Sequence, residues 1–251
     1  MKIISLCAHK GGVGKTTSAV AIAQGIAKLK PRSKVLLIDS DPQGTATKTI
    51  YGIRDAVSGL YEVIKDEIDI NDAIIHTESG DILPYSRALA NIDIEFARDP
   101  NQYFYIKDKL QQLNGTYTHV IIDTAPSLIL PTLQALTASD GVIIPIGAYP
   151  ETVDSLPQTL KTIKSVLRVN PDLSVLGALI TMYAPRSNVV KQYEDLIEEN
   201  CKDYDVKLIK TRVRVCSAIH EAHALNVSLF EHAPRSNAVK DYTQVIKELK
   251  L

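Results

Sequence analysis

Two rhythms of apolar positions alternate along this chain. Short continuous apolar runs recur at Ile3 to Ala8, Lys34 to Ile38, His119 to Ile122, Gly141 to Ile146 and Leu173 to Ile180. Each has the length of a strand and no polar face, the pattern of a strand covered on both sides. Between them lie segments with apolar residues every three or four positions. These run over Ser18 to Leu29, Ser58 to Ile64, Asn101 to Leu113, Leu128 to Ala138, from near Glu151, and over Val189 to Asn200. A last one carries Val239, Tyr242, Val245, Ile246 and Leu249 on one face. That spacing predicts helices. Ile82 and Leu83 predict a further short strand stopped by Pro84, with Tyr85 to Leu89 leading into a helix. Strands alternating with helices predict an α/β fold, one domain over residues 1–251, with a mostly parallel twisted sheet and helices on both faces. At 251 residues the chain can bury such a core. The pentapeptide Ala-Pro-Arg-Ser-Asn at 184–188 and again at 233–237 reads as helix-entry chemistry, Pro then a Ser cap, and not as a repeat of the fold.

The first strand runs into Lys10-Gly11-Gly12-Val13-Gly14-Lys15-Thr16-Thr17 and then into the first helix. Strand, glycine loop and helix form the context of a phosphate-binding loop. The glycines let successive backbone N–H groups turn toward one anion, and the helix adds its positive N-terminal end. Lys15 can reach the β- and γ-phosphates, and the Thr16 hydroxyl can bind Mg²⁺.

Two other strand ends carry acids. The second predicted strand ends in Asp39-Ser40-Asp41-Pro42-Gln43-Gly44, whose alternating acids can face one side before the turn. Alone, this stretch reads equally as a capped loop. His119 to Asp123 delivers an acid at the end of a buried strand, where Asp123 can hold Mg²⁺ directly or through water. A capping role before the following helix is the alternative. The nucleotide is expected at the carboxyl ends of the strands, where Lys15, Asp41 and Asp123 emerge.

The loop departs from the standard pattern. His9 stands where a first glycine is usual, and a second lysine, Lys10, opens the loop. This resembles the deviant Walker A motif of the ParA/MinD family of ATPases, Lys-Gly-Gly-x-Gly-Lys-Thr/Ser. Asp39 to Gln43 is similar to that family's first switch motif, and Asp123-Thr124-Ala125-Pro126 to its second. The segment Thr181 to Asn188 resembles a further family stretch, with Ala184 in place of an acid. The resemblance implies a P-loop fold, ATP and Mg²⁺ as ligands, slow hydrolysis, and an ATP-sandwich homodimer in which Lys10 reaches the partner's phosphates. It implies catalytic roles for Lys10, Lys15 and Asp41, phosphate contacts from Lys10 to Thr17, and Mg²⁺ near Thr16, Asp39 and Asp123. It places the adenine near Arg214, Val215 and Cys216.

Bulk properties narrow the partners. The formal net charge is −1, so a nucleic-acid surface has to be a local patch. Lys161, Lys164 and Arg168 share one face of a predicted helix whose other face carries Leu156, Leu160, Ile163 and Leu167. Lys207 to Arg214 places four basic residues in eight with no acid, and if extended projects Lys210, Arg212 and Arg214 to one side. A solvated stripe and a DNA face both fit these patterns. Lys161, Lys164, Arg168, Lys210 and Arg212, with Arg186 and Arg235, form an expected non-specific DNA patch. Three unpaired cysteines suit a reducing cytosol, and no run reaches the length of a membrane span. The early phosphate loop leaves no room before it for a helix-turn-helix domain. The resemblance is therefore to short ParA/Soj-type partition ATPases, cytoplasmic and nucleoid-associated, with a ParB-like partner. A MinD-like membrane-associated or other cargo-positioning ATPase is the alternative.

Overall fold

The computed structural model describes every residue except 55–57, 128, 150, 151, 153 and 154. Seven strands form one sheet in the order β3-β4-β2-β5-β1-β6-β7. They are β1 (Lys2–Leu6), β2 (Val35–Asp39), β3 (Ile75–Thr77), β4 (Gly80–Leu83), β5 (His119–Asp123), β6 (Gly141–Gly147) and β7 (Ser174–Thr181). All neighbours are parallel except β3, which runs antiparallel to β4 at the edge. Register decides which side chains meet at the end of the sheet. Leu6 on β1 and Asp39 on β2 both pair with Asp123 on β5, so three strand ends lie level.

The principal helices are α1 (Lys15–Leu29), α2 (Leu60–Ile64), α3 (Tyr105–Gln111), α4 (Leu130–Ala138), α5 (Leu156–Val166), α6 (Asn188–Asp203), α7 (Ser217–Leu225) and α8 (Asn237–Glu248). They cover both sheet faces. Leu37, Ile121, Ile143 and Leu179 share a core with α1 and α8. Leu36, Ile38, Val120 and Ile122 point the other way, toward α2, α3 and α4. Val142, Ile144 and Ile180 pack with α5 and α6. That two-sided burial is why β2, β5 and β6 read as unbroken apolar runs. The α1–α8 contact is close. A Cβ on Gly25 would lie 2.4 Å from Ile246 Cδ1 and 2.7 Å from Phe230 Cζ.

Several predicted boundaries move. The helix expected over Asn101 to Leu113 is regular only over Tyr105–Gln111. Leu128 and Glu151, expected to open helices, lie outside the described residues, and α4 and α5 are defined from Leu130 and Leu156. Lys207 to Arg214 is not a strand. It follows β7 through isolated bridges at Ala178–Leu208 and Tyr183–Arg214. Edge strand β3, helix α7 and a π-turn over Ala46–Ile50 have no counterpart in the sequence pattern. Both Ser caps stand: Ser187 and Ser236 accept from the N–H of Val190 and Val239, opening α6 and α8.

Candidate nucleotide site

The loop between β1 and α1 turns through two left-handed glycines, Gly12 at φ +74° and Gly14 at φ +76°, a conformation that costs a glycine little. Gly14 opens α1 without a capping side chain, and no acid sits in the helix's first turn. The donors at that helix end therefore have no side-chain acceptor, the arrangement that receives an anion. Lys15 is 6% exposed, and its Nζ donates to the Lys10 carbonyl at 3.2 Å. Burial lowers the Lys15 pKa, opposed first by Asp123 and then by Cys7 and Asp41. Lys10 itself is exposed.

The acids divide into two kinds. Asp39 Oδ2 accepts from Thr47 N–H at 2.8 Å and from the Thr47 hydroxyl at 2.7 Å, and Oδ1 accepts from Asp41 N–H at 3.3 Å. Burial still raises its pKa to about 6, against those bonds. Asp123 is fully buried, and among the described residues neither of its carboxylate oxygens has a hydrogen-bond partner. Burial and then the charge of Asp39 push its pKa well up. The Thr16 hydroxyl beside it works against that rise without reaching hydrogen-bond geometry. Asp41 is 7% exposed, and its Oδ1 accepts from Gln43 N–H at 2.9 Å.

A buried carboxylate without donors needs a proton or a cation. Asp123 and Thr16 supply the oxygen ligands that a hard cation takes. Asp39 is the acid expected near the metal's water shell. Both of its oxygens are engaged, and what they hold is the start of the π-turn after the first switch segment.

The other expected residues scatter. Val215 N–H donates to the Tyr183 carbonyl at 3.1 Å, which lays residues 214–216 beside the end of β7. Val215 is 63% exposed there, while the Arg214 guanidinium is held by both oxygens of Asp241. Arg214 is thus a tether for α8. Cys216 immediately precedes α7.

Lys161 and Lys164 are exposed on α5 with Leu156, Leu160 and Ile163 buried behind them, Arg168 is exposed just past the end of that helix, and Arg186 and Arg235 are exposed in turns. Lys210 is exposed, and its backbone N–H donates to Glu248. Arg212 departs from the expected patch. Its Nε donates to Glu194 at 2.6 Å and its guanidinium also meets the Ile209 and Lys210 carbonyls, so its charge is neutralised locally. Sequence reasoning also missed Thr47, Tyr149, Thr159 and Thr181, which reach the loop or the acids only through the fold.

A phosphate loop at the end of β1, with acids at the ends of β2 and β5, defines a P-loop nucleotide-binding protein. A family model described as an AAA domain matches residues 1–175. The sporulation initiation inhibitor protein Soj of Bacillus subtilis is 38% identical over 84% of this chain and 83% of its own. The chromosome partitioning protein ParA of Caulobacter vibrioides is 33% identical over 87% and 84%. A structure of cobyrinic acid a,c-diamide synthase from Mycobacterium smegmatis, with a bound ATP analog and magnesium, superposes with TM-score 0.84. It shares 27% identity and covers 97% of this chain and 92% of that one. The chain belongs to the ParA/Soj family of P-loop ATPases.

Proposed function

We propose that this chain is an ATP-driven partition switch. Its Mg²⁺-ATP state is a sandwich homodimer that binds DNA without sequence preference, and a ParB-like partner ends that state by stimulating hydrolysis. The observation that carries the reading is a buried lysine at the start of α1, Lys15, on the same loop side as a buried Asp123 carboxylate that has no hydrogen-bond partner among the described residues. Lys15 and the loop amides would bind the β- and γ-phosphates, with Thr16 and Asp123 holding the metal. When bound, Mg²⁺ offsets phosphate charge. Asp41 would orient the attacking water and accept its proton, in a reaction that is mostly positioning and charge stabilisation. Lys10 is exposed and free to reach a second subunit.

The exposed cations on and beyond α5 support the DNA part of the reading. Among the described residues no hydrogen bond or ion pair engages the side chains of Lys161, Lys164, Arg168, Arg186 or Arg235. Such free cations suit phosphate contacts that carry no base readout. A membrane role would need an amphipathic helix with an open apolar face. In α8 that face is taken up by the core, where Tyr242, Val245 and Ile246 are buried, and Leu251 beyond it is buried too. Among the described residues no helix is long and apolar enough to cross a membrane. With DNA as its binding surface, the proposed switch works in the cytoplasm, on the nucleoid.

Light scattering with ATP, ADP or no nucleotide tests the switch. A dimer with Mg²⁺-ATP alone, lost in Lys10→Ala, is the expected result. A monomer in every nucleotide state contradicts it.

A further inference from the structure

The phosphate loop is gripped from one side. Thr181, the last residue of β7 and 2% exposed, donates its hydroxyl to the Val13 carbonyl at 2.8 Å. Tyr149, two residues past β6, donates its phenol to the Gly12 carbonyl at 3.1 Å. Thr159 on α5 accepts the His9 N–H at 3.0 Å and donates its own proton to the Ser155 carbonyl at 3.0 Å. All three hydroxyls come from the β6–α5–β7 unit. Among the described residues, the only other side-chain bond to residues 9–13 is that of Lys15 to Lys10.

These bonds have a directional consequence. In a planar trans peptide the C=O and the following N–H point in opposite directions. A Gly12 carbonyl held by Tyr149 turns the Val13 N–H away from β6. A Val13 carbonyl held by Thr181 turns the Gly14 N–H away from β7. Two successive amides are thereby aimed to the side opposite the hydroxyls, while Thr159 fixes where the loop begins. The surroundings are shaped for the grip. A Cβ on Gly147 would meet the Tyr149 ring at 2.0 Å, so only glycine there lets the ring lie over the end of β6. A Cβ on Gly14 would lie 3.7 Å from Thr181 Cβ, ordinary contact that a longer side chain would crowd.

We propose that Tyr149 and Thr181, with Thr159 behind them, are positioning residues that set the phosphate loop for the polyphosphate before it arrives. This rests on the proposed nucleotide function and adds residues to that site which its sequence motifs do not contain. The preorganisation acts on the phosphates and not on the base. Its effect should therefore be equal for ATP and for inorganic tripolyphosphate.

The test is equilibrium binding of Mg²⁺-ATP and of Mg²⁺-tripolyphosphate by calorimetry, on the full chain. The proteins are wild type, Tyr149→Phe, Thr181→Val and Thr181→Ser. Loss of one such hydrogen bond is expected to weaken both ligands by about threefold to tenfold in Tyr149→Phe and in Thr181→Val. Thr181→Ser, which keeps the hydroxyl, should restore affinity. If Thr181→Val does not fold, Tyr149→Phe decides alone, since its ring and surroundings are retained. Wild-type affinity for both ligands in Tyr149→Phe would overturn the positioning role. A loss confined to ATP would overturn it too, because that would locate the effect at the base. Wild-type protein that bound neither ligand would overturn the nucleotide reading, and the positioning role with it.

Discussion

Asp39 and Asp123 stand at the same register position on adjacent parallel strands, yet only Asp39 has hydrogen-bond donors. The pair combines a scaffold acid with an open one. In an unfolded chain both would ionise near pH 4, at about the ordinary value for Asp. Burial raises both in the fold, Asp39 to about 6 and Asp123 well above its ordinary value. Above pH 4 the folded state then holds more protons than the unfolded one. The contribution of these acids to stability falls as pH rises through that window. Half-buried His223, lowered to about 4, acts in the opposite direction, so the clean quantity is a difference between variants. Asp123→Asn should stabilise the nucleotide-free protein at pH 7.5 by about 1–3 kcal/mol. The gain should shrink toward pH 4, as melting curves across pH would record. Mg²⁺ should add no stability to nucleotide-bound Asp123→Asn. An Asp123→Asn protein less stable than wild type at neutral pH would contradict the open-acid account.

Lys15 is the cation nearest the expected phosphates, and its ammonium is held within the loop by the Lys10 carbonyl. Removing it deletes charge-assisted bonds worth about 1.5–3 kcal/mol each. Lys15→Ala should weaken ATP by at least tenfold in a fluorescent-nucleotide titration while leaving the fold intact by circular dichroism. Retained affinity would show that the phosphates sit elsewhere.

Asp41 is assigned to the attacking water and not to nucleotide binding. Asp41→Ala should therefore bind ATP with near wild-type affinity and lose turnover by about 10²–10⁴-fold, the range for a lost general base. Its ATP-bound dimer should persist, visible as a stable peak in size-exclusion chromatography. Wild-type phosphate release would remove Asp41 from the mechanism.

Gly25 tests the packing that carries the site. Helix propensity favours alanine over glycine by about 1 kcal/mol. Here the added Cβ meets Ile246 and Phe230 well inside contact distance, and both are buried. Overpacking of this kind costs about 1–3 kcal/mol, so the packing term should win. Gly25→Ala should lower the unfolding midpoint in urea. A raised midpoint would show that α8 yields freely.

The nucleotide motifs were readable because each is local. Three glycines, Lys15 and two threonines sit within eight residues, and each acid ends its own apolar run. The Ser caps were readable for the same reason, and Ser187→Ala or Ser236→Ala should each cost about 1 kcal/mol. What escaped the sequence is long-range. Thr181 reaches Val13 across 168 residues, and nothing in a Thr-Met-Tyr stretch announces that contact. The basic run from Lys207 misled as a surface because its acids are remote. Glu194 lies 18 residues from Arg212, and Asp241 lies 27 from Arg214. Strand β3 is three residues long with His76 exposed, too short for a period to register.

In the proposed switch, nucleotide state controls a cationic DNA-binding face, and duplex binding reads that control without an intermediate step. Affinity for a random-sequence duplex should be followed across a salt series with ATP, ADP and no nucleotide. Tight binding is expected with Mg²⁺-ATP alone, falling steeply as salt rises, with a shallower slope when Lys164 and Arg168 are reversed to Glu. Binding that is equal in all three nucleotide states, or absent from all of them, would contradict it.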